Sequence, residues 1–298
     1  MEKVIVIIGQ TAVGKTAMSI KLAKALDTEI INGDAMQVYK GLNIVTDKIK
    51  KEQMQGITHH LLDIKTIDEN YSVEEYQQNI RKVISQINNK GKIPIIVGGT
   101  GLYVKAALFD YTFQKEEISN KEVEELYKDK SNDELYDLLK SFDPKSAESI
   151  HKNNRRRVLR AIAIYNATGT KKSDIIENQK HEMLYDALLI GLDLDKNIIN
   201  AKIDKRIEEM FDEGLIEEVK LNKTNTTASK AIGYKEVSSY LNNEISLQQA
   251  KVLMKIHTHQ YAKRQRTFFK NQFEIKWVNN DEFAFDKIKE LIKSKWGL

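Results

Sequence analysis

From Val4 to Ile8 the residues are all aliphatic, a run too short for a helix, and it predicts a buried strand. Past a glycine turn, Lys15 to Leu26 carries apolar side chains at helical spacing. Glu29-Ile30-Ile31 predicts a second strand, ending in Asn32-Gly33-Asp34. His59 to Ile64 predicts another, and so does Ile93 to Val97, which runs into Gly98-Gly99-Thr100-Gly101. Ser72 with Glu75 forms a capping box for a helix reaching about Asn89. Apolar strands alternating with helical patterns predict a parallel sheet.

The pattern changes from about Phe113 to His181. Aliphatic strands disappear and the segment turns charged and helical. Ser131 with Glu134 caps one predicted helix, and Asn154 to Thr168 predicts another, stopped by Gly169. Ala187 to Leu192 resumes the sheet pattern. A helix from about Lys196 to Gly214 follows, then a polar loop over Asn222 to Ser229. Ser246 and Gln249 cap a long basic helix reaching about Asn271. A last strand, Glu274 to Val278, and a C-terminal helix complete the pattern. Trp277 between Ile275 and Val278 reads as core.

The turn after the first strand is Gly9-Gln10-Thr11-Ala12-Val13-Gly14-Lys15-Thr16, which fits the phosphate-binding loop pattern G-x-x-x-x-G-K-[ST]. Glycines let the backbone curl so that its N–H groups converge, and the helix N-terminus adds positive dipole. Lys15 supplies a point charge, and Thr16 a hydroxyl suited to Mg2+. The fold class expected is therefore α/β: a P-loop NTPase-like parallel sheet flanked by helices, over 1–112 and 182–298, with a small all-helical domain inserted over 113–181.

Composition narrows the function classes. The chain has 298 residues and a net charge of +4, from 47 basic and 43 acidic residues. That excess is too small to argue for nucleic acid, so local clustering has to carry the case. The absence of cysteine excludes disulfides, thiol nucleophiles and cysteine–zinc sites, and points to a cytoplasmic protein. No run approaches the ~20 apolar residues of a membrane span, and no signal peptide is read at the N-terminus.

Asp34 follows the second predicted strand, at the sheet edge where the phosphate loop opens. A carboxylate there can take a proton from an attacking amine or hydroxyl, hold Mg2+, or close the strand as an Asx turn. Gly98 to Gly101 can contact a phosphate or a base, or serve as a tight strand-to-helix connection. Arg155, Arg156, Arg157 and Arg160 form a basic cluster in which Arg156 and Arg160 share a helix face. Lys263, Arg264, Arg266 and Lys270, beside Phe268 and Phe269, form a second cluster. Lys230 and Lys235 flank Ala231-Ile232-Gly233-Tyr234. Basic side chains neutralise phosphates, and aromatics stack on splayed bases. Each such cluster is also compatible with a solvated face. Arg206 reads as a surface arginine paired with a nearby acid such as Glu209. The histidines of His59-His60 should point to opposite faces of a strand, which favours a structural role over a metal site.

Eight segments in order resemble bacterial tRNA dimethylallyltransferases, the isopentenyl-diphosphate:tRNA transferase family: GQTAVGKT, NGDAMQVYKGLNIVTDK, THHLLDI, VGGTGLYVKAAL, HKNNRRRVLRAIAIYNATG, IDKRIEEMFDEGLIEEV, KAIGYKE and KRQRTFFK. The resemblance runs from about Val4 to Lys270. It implies a transferase that moves a dimethylallyl group from dimethylallyl diphosphate to N6 of adenosine 37, beside the anticodon of tRNA. Gly9 to Thr16 would hold the diphosphate, and Asp34 would be the base. Lys15, Arg206, and Thr16 with Mg2+, would stabilise the leaving group. The tRNA-contacting segments implied are Asp34-Ala35-Met36-Gln37, Thr100, Arg156-Arg157-Val158-Leu159-Arg160, and Lys230-Ala231-Ile232-Gly233-Tyr234-Lys235. A monomer that takes tRNA through its anticodon stem-loop is expected. The chain departs from the family pattern at Gln10, where proline is usual. It departs again at Glu124, where a cation is usual, and at Phe269-Lys270, where a fork-shaped arginine gives way to a point charge.

On the residues alone, a P-loop small-molecule or nucleoside kinase is the favoured reading: it too has a phosphate loop, an aspartate after the second strand and an arginine-bearing helical lid. A nucleic-acid-stimulated NTPase is a third reading. It lacks a second apolar run ending in a metal-binding aspartate away from Asp34.

Overall fold

The computed structural model describes residues 1–111, 113, 120–178 and 182–298. His181, the expected end of the insertion, lies outside the described residues. The strands are β1 (Lys3–Gly9), β2 (Ile30–Asn32), β3 (His59–His60), β4 (Ile95–Gly98), β5 (Asp186–Asp193) and β6 (Lys276–Asn279). The helices up to β5 are α1 (Lys15–Ala25), α2 (Val73–Asn88), α3 (Gly101–Leu108), α4 (Asn120–Leu126), α5 (Asn132–Phe142), α6 (Pro144–Ser149), α7 (Arg155–Thr168) and α8 (Lys172–Asn178). After it come α9 (Lys196–Asp212), α10 (Leu215–Leu221), α11 (Tyr234–Leu241), α12 (Leu247–Gln272) and α13 (Ala284–Trp296).

The chain divides into two compact units, one of residues 1–108 and 183–298, the other of 109–182. The first unit holds one sheet of order β3-β2-β4-β1-β5-β6, with every pairing parallel. The architecture is the α/β class expected. β1 lies between β4 and β5, and Val4 to Ile8 are fully buried. A strand covered on both faces has no solvent side, which is why its sequence is a continuous apolar run. α2 starts at Ser72, whose Oγ accepts the Glu75 N–H at 3.0 Å, and it buries Tyr76, Ile80, Ile84 and Ile87. Among the described residues no helix is long and apolar enough to cross a membrane.

Three strand expectations change. The run from His59 to Ile64 pairs only over His59–His60, because Leu61 (φ 61°) and Asp63 (φ 53°) turn the chain away. The last strand starts at Lys276 rather than Glu274. Trp277 is half-buried on that edge strand, its ring covering Gly191 of β5 and lying under Lys270.

The second unit is all-helical among its described residues. Its core gathers Leu135, Leu139, Ala147, Val158, Leu159 and Ile162. α7 is capped by Asn154 and stopped by Gly169 at φ 67°, a left-handed conformation that suits glycine.

Candidate active site

Parallel pairing puts the ends of β2, β4 and β1 side by side at one sheet edge. The loops that leave them are therefore neighbours. Close backbone approach fixes two of these loops together. Gly33 N–H donates to Val97 O at 2.7 Å, and a Cβ on Gly98 would lie 2.2 Å from Gly33 O. Only glycine fits there, which accounts for Gly98 at the end of β4.

The phosphate loop connects β1 to α1 around a cavity of about 560 Å³. Thr11, Gly14, Lys15, Thr16, Asp34 and Arg206 are among its lining residues. Lys15 Nζ donates to Gly9 O at 3.1 Å and to Gln10 O at 2.7 Å. Burial pushes its ammonium down to about 8, against the attraction of Asp34. Asp34 Oδ1 accepts the Met36 N–H at 2.8 Å, so this carboxylate does close an Asx turn while lining the cavity. Burial raises its carboxyl above the ordinary value, and the Met36 N–H and the Lys15 charge only partly oppose that. A carboxylate so raised is a stronger base than a solvated one.

Arg206 is not the surface partner of Glu209 that its local sequence suggests; Lys205 takes that acid. Its Nη1 lies 2.6 Å from Asp47 Oδ2, and its Nη2 donates to Thr11 Oγ1 at 2.7 Å. The long-range contact draws α9 to the phosphate loop.

Several residues that hold the site together have no role assigned from the sequence. Gln265 of α12 is buried. Its Oε1 accepts the Thr11 N–H at 2.8 Å, and its Nε2 donates to Gly99 O at 2.9 Å. Asn280 Nδ2 donates to Val13 O at 2.7 Å. Glu218 of α10 accepts three backbone N–H groups, those of Asn43 (2.8 Å), Ile44 (2.8 Å) and Val45 (2.9 Å). Lys48, also buried, donates to Tyr39 O at 2.6 Å and pairs with Asp63 at 2.6 Å. Together Glu218 and Lys48 hold the turn that carries Thr46 and Asp47 to the cavity wall. Gln10, which stands in the usual proline position, donates to Ala262 O at 3.1 Å.

Of the segments that the resemblance links to tRNA, Ala35, Met36 and Gln37 follow Asp34, and the Ala35 N–H donates to Thr100 Oγ1 at 3.1 Å. Arg156, Arg157 and Arg160 are exposed on α7. Burial, then Arg157 and Arg160, push the Lys172 ammonium down, a sign of concentrated positive charge. Val158 and Leu159 differ from the arginines: they are 0% and 3% exposed, with their side chains in the helical core. Helical periodicity explains the split, since these residues sit opposite the arginine face. In the later segment Lys230 and Lys235 are exposed, whereas Ala231, Gly233 and Tyr234 are buried. Tyr234 Oη bridges Asn222 O and the Thr224 N–H, a structural task. Lys223, Lys230, Lys235, His257 and Arg264 line a second groove of about 860 Å³.

The cluster on α12 also divides. Arg266 pairs with Asp193. Phe269 is fully buried, and Phe268 packs over Gly101. Phe269 is thus core, while Phe268 is half-buried and lines a surface cavity with Lys263 and Arg264. Glu124, at the usual cation position, pairs with Arg155 at 2.8 Å. His59 Nδ1 pairs with Ile57 O at 2.9 Å and His60 Nε2 with Glu29 at 2.6 Å, separate structural partners.

The family model described as IPP transferase matches residues 37–272. A tRNA dimethylallyltransferase of Anoxybacillus flavithermus is 47% identical over 295 residues, spanning 96% of this chain and 93% of that protein. One of Bacillus cereus is 46% identical over 299 residues, spanning 98% and 94%. Among solved structures, a tRNA delta(2)-isopentenylpyrophosphate transferase of Staphylococcus epidermidis superposes with a TM-score of 0.74 at 39% identity, over 99% of this chain and 100% of that one. A eukaryotic dimethylallyltransferase described as acting on tRNA superposes at 0.84 and 29% identity, over 99% and 79%.

Proposed function

The chain belongs to the IPP transferase family, and from that premise we propose that it transfers a dimethylallyl group from dimethylallyl diphosphate to N6 of adenosine 37 in tRNA, as a monomer. The observation that carries this reading is one cavity lined by a phosphate loop, a basic carboxylate and an arginine: Lys15, Asp34 and Arg206. Phosphoryl transfer would use the same loop, but the full-length relatives are tRNA dimethylallyltransferases.

The chemistry needs a base, cations for the leaving group and a pocket for an extruded base. N6 of the adenine attacks C1 of the allyl group. The N6–C1 bond forms as the C1–O bond breaks, and that electron pair leaves with the diphosphate. The N6 lone pair is delocalised into the ring, so the amine is a poor nucleophile. Asp34 offsets this by accepting its proton, a task for which burial has raised its carboxyl. Lys15 and Arg206 line the cavity as cations for the developing diphosphate charge. Thr16, exposed in the first turn of α1 and lining the same cavity as Asp34, offers the hard hydroxyl oxygen that Mg2+ prefers. Bound there, Mg2+ would neutralise diphosphate charge. Arg156, Arg157 and Arg160 on α7, and the groove lined by Lys230 and Lys235, supply cations for tRNA phosphates.

The test is incubation with dimethylallyl diphosphate, Mg2+ and unmodified tRNA, followed by nucleoside mass analysis. N6-dimethylallyladenosine is the expected product. Asp34→Asn should lower turnover by ~10²–10⁴ while tRNA binding stays within about tenfold. Folded protein that yields no prenylated nucleoside, or that transfers phosphate from labelled ATP instead, overturns the proposal. Full turnover by Asp34→Asn would reassign the base.

A further inference from the structure

Arg206 meets the phosphate loop already engaged by an anion. Nη1 is held by Asp47 and Nη2 by Thr11, while Nε is buried without a hydrogen-bond partner. The position of Asp47 is fixed by its backbone. Its φ is 49°, a left-handed conformation that a non-glycine residue keeps only where its surroundings enforce it. Its N–H donates to Ile44 O at 3.0 Å, and its own carbonyl accepts from Gln37 Nε2 at 3.3 Å. Glu218 grips the turn before it, and Lys48, the residue after it, is anchored to Tyr39 O. The side chain is nevertheless 56% exposed, so the carboxylate can swing free of the guanidinium.

A guanidinium grips a phosphate best through two parallel N–H bonds. Nε is buried, so a diphosphate that takes Arg206 through the Nη1–Nη2 fork would compete with Asp47 at Nη1. Asp47 is also a negative charge on the wall of an anion site. It acts at a distance on Lys15 and Asp34, the groups that face the same cavity.

We infer that Asp47 is an anionic latch on Arg206: it holds the guanidinium against Thr11 ahead of the diphosphate, competes with it for that guanidinium, and so weakens diphosphate binding and speeds its release. The inference rests on the diphosphate reading of the loop. It makes Asp47 a positioning residue that sets affinity, with no role in bond-making.

The experiment is calorimetric titration of inorganic pyrophosphate with Mg2+ into the full-length protein, its Lys15→Ala variant, and Asp47→Asn and Asp47→Gly. Asn and Gly both tolerate the left-handed backbone, so the turn should persist. Removing the competing charge should tighten pyrophosphate binding on the order of tenfold in either variant. Damage to a supporting residue weakens a site, so a gain in affinity is a signature that a merely structural role does not produce. Binding that is unchanged or weaker in both variants overturns the latch. If the parent protein shows no Lys15-dependent pyrophosphate binding, the diphosphate reading fails and the latch falls with it. Parent binding without any gain in the variants removes the latch alone.

Discussion

Glu218 lies on α10, far in sequence from the turn it supports, and one carboxylate there satisfies three backbone donors. Asn43 is exposed and Ile44 half-buried, so water can take over their N–H groups if the carboxylate is removed. Val45 is buried, and its N–H would be orphaned. A buried unsatisfied donor costs about 1–3 kcal/mol, and each bond to a charged acceptor contributes about 1.5–3 kcal/mol. Glu218→Ala should therefore destabilise the turn by about 3–5 kcal/mol, with full loss at Val45 and partial loss at the other two. Glu218→Gln keeps one acceptor oxygen and turns an NH2 toward the donors, so about 2 kcal/mol is expected. Native-state hydrogen exchange reads this directly. The Val45 amide should exchange about a hundredfold to several thousandfold faster in the alanine variant, as about 1.4 kcal/mol per factor of ten requires. Because Thr46 and Asp47 ride on the same turn, pyrophosphate affinity should change in parallel. A Val45 exchange rate within about threefold of the parent would refute the assignment of Glu218 as the clamp of this turn.

Two further perturbations test the loop. Lys15 is pushed down to about 8 by burial, so the free site loses its cation as pH rises through that value. Its folded pKa lies below the ordinary 10.5, so between those values the unfolded chain binds more protons. The Lys15 contribution to stability therefore rises with pH across the window in which anion affinity falls. Pyrophosphate affinity measured from pH 7 to 10 should fall by up to about tenfold per unit above 8, relative to a Lys15→Arg protein that controls for ionisation of the ligand. Parallel curves would remove Lys15 from the anion site. Gln265 accepts from Thr11 and donates to Gly99, so Gln265→Glu sets a buried carboxylate against a carbonyl. Urea unfolding should show a loss of about 2–4 kcal/mol, larger than for Gln265→Met; the reverse order would contradict the assigned amide orientation.

What could be read from the chain, and what could not, separates along the range of the interactions. Ser72, Ser131 and Ser246 cap helices through residues three positions away, so their signal lies within one turn. The phosphate loop is equally local, because a strand, a curled backbone and a helix N-terminus suffice to make it. Gln265, Asn280 and Glu218 show no such signal. Each is a single polar side chain whose partner is a backbone group 166 or more residues away, and backbone groups are alike in every sequence. Arg206 differs: the resemblance places it at the leaving group, but its local sequence offers a nearby acid, while its side-chain partners, Asp47 and Thr11, lie 159 and 195 residues earlier.

The segment Arg156 to Arg160 shows a different limit. A motif is a linear string, whereas a helix divides its residues by face every 3.6 positions. Arg156, Arg157 and Arg160 fall on the solvent side of α7, and Val158 and Leu159 fall in the core. The string is thus two statements joined: one about charge offered to a partner, one about the packing that holds that charge in place. The same division runs through Lys230 to Lys235, where Tyr234 spends its hydroxyl on Asn222 and Thr224 while Lys230 and Lys235 reach solvent. On α7 the apolar members Val158 and Leu159 sit in the core, whereas Ile232 is half-buried and lines the second groove beside the lysines. Substituting Val158 or Leu159 should therefore move the unfolding midpoint first, and binding only as a consequence.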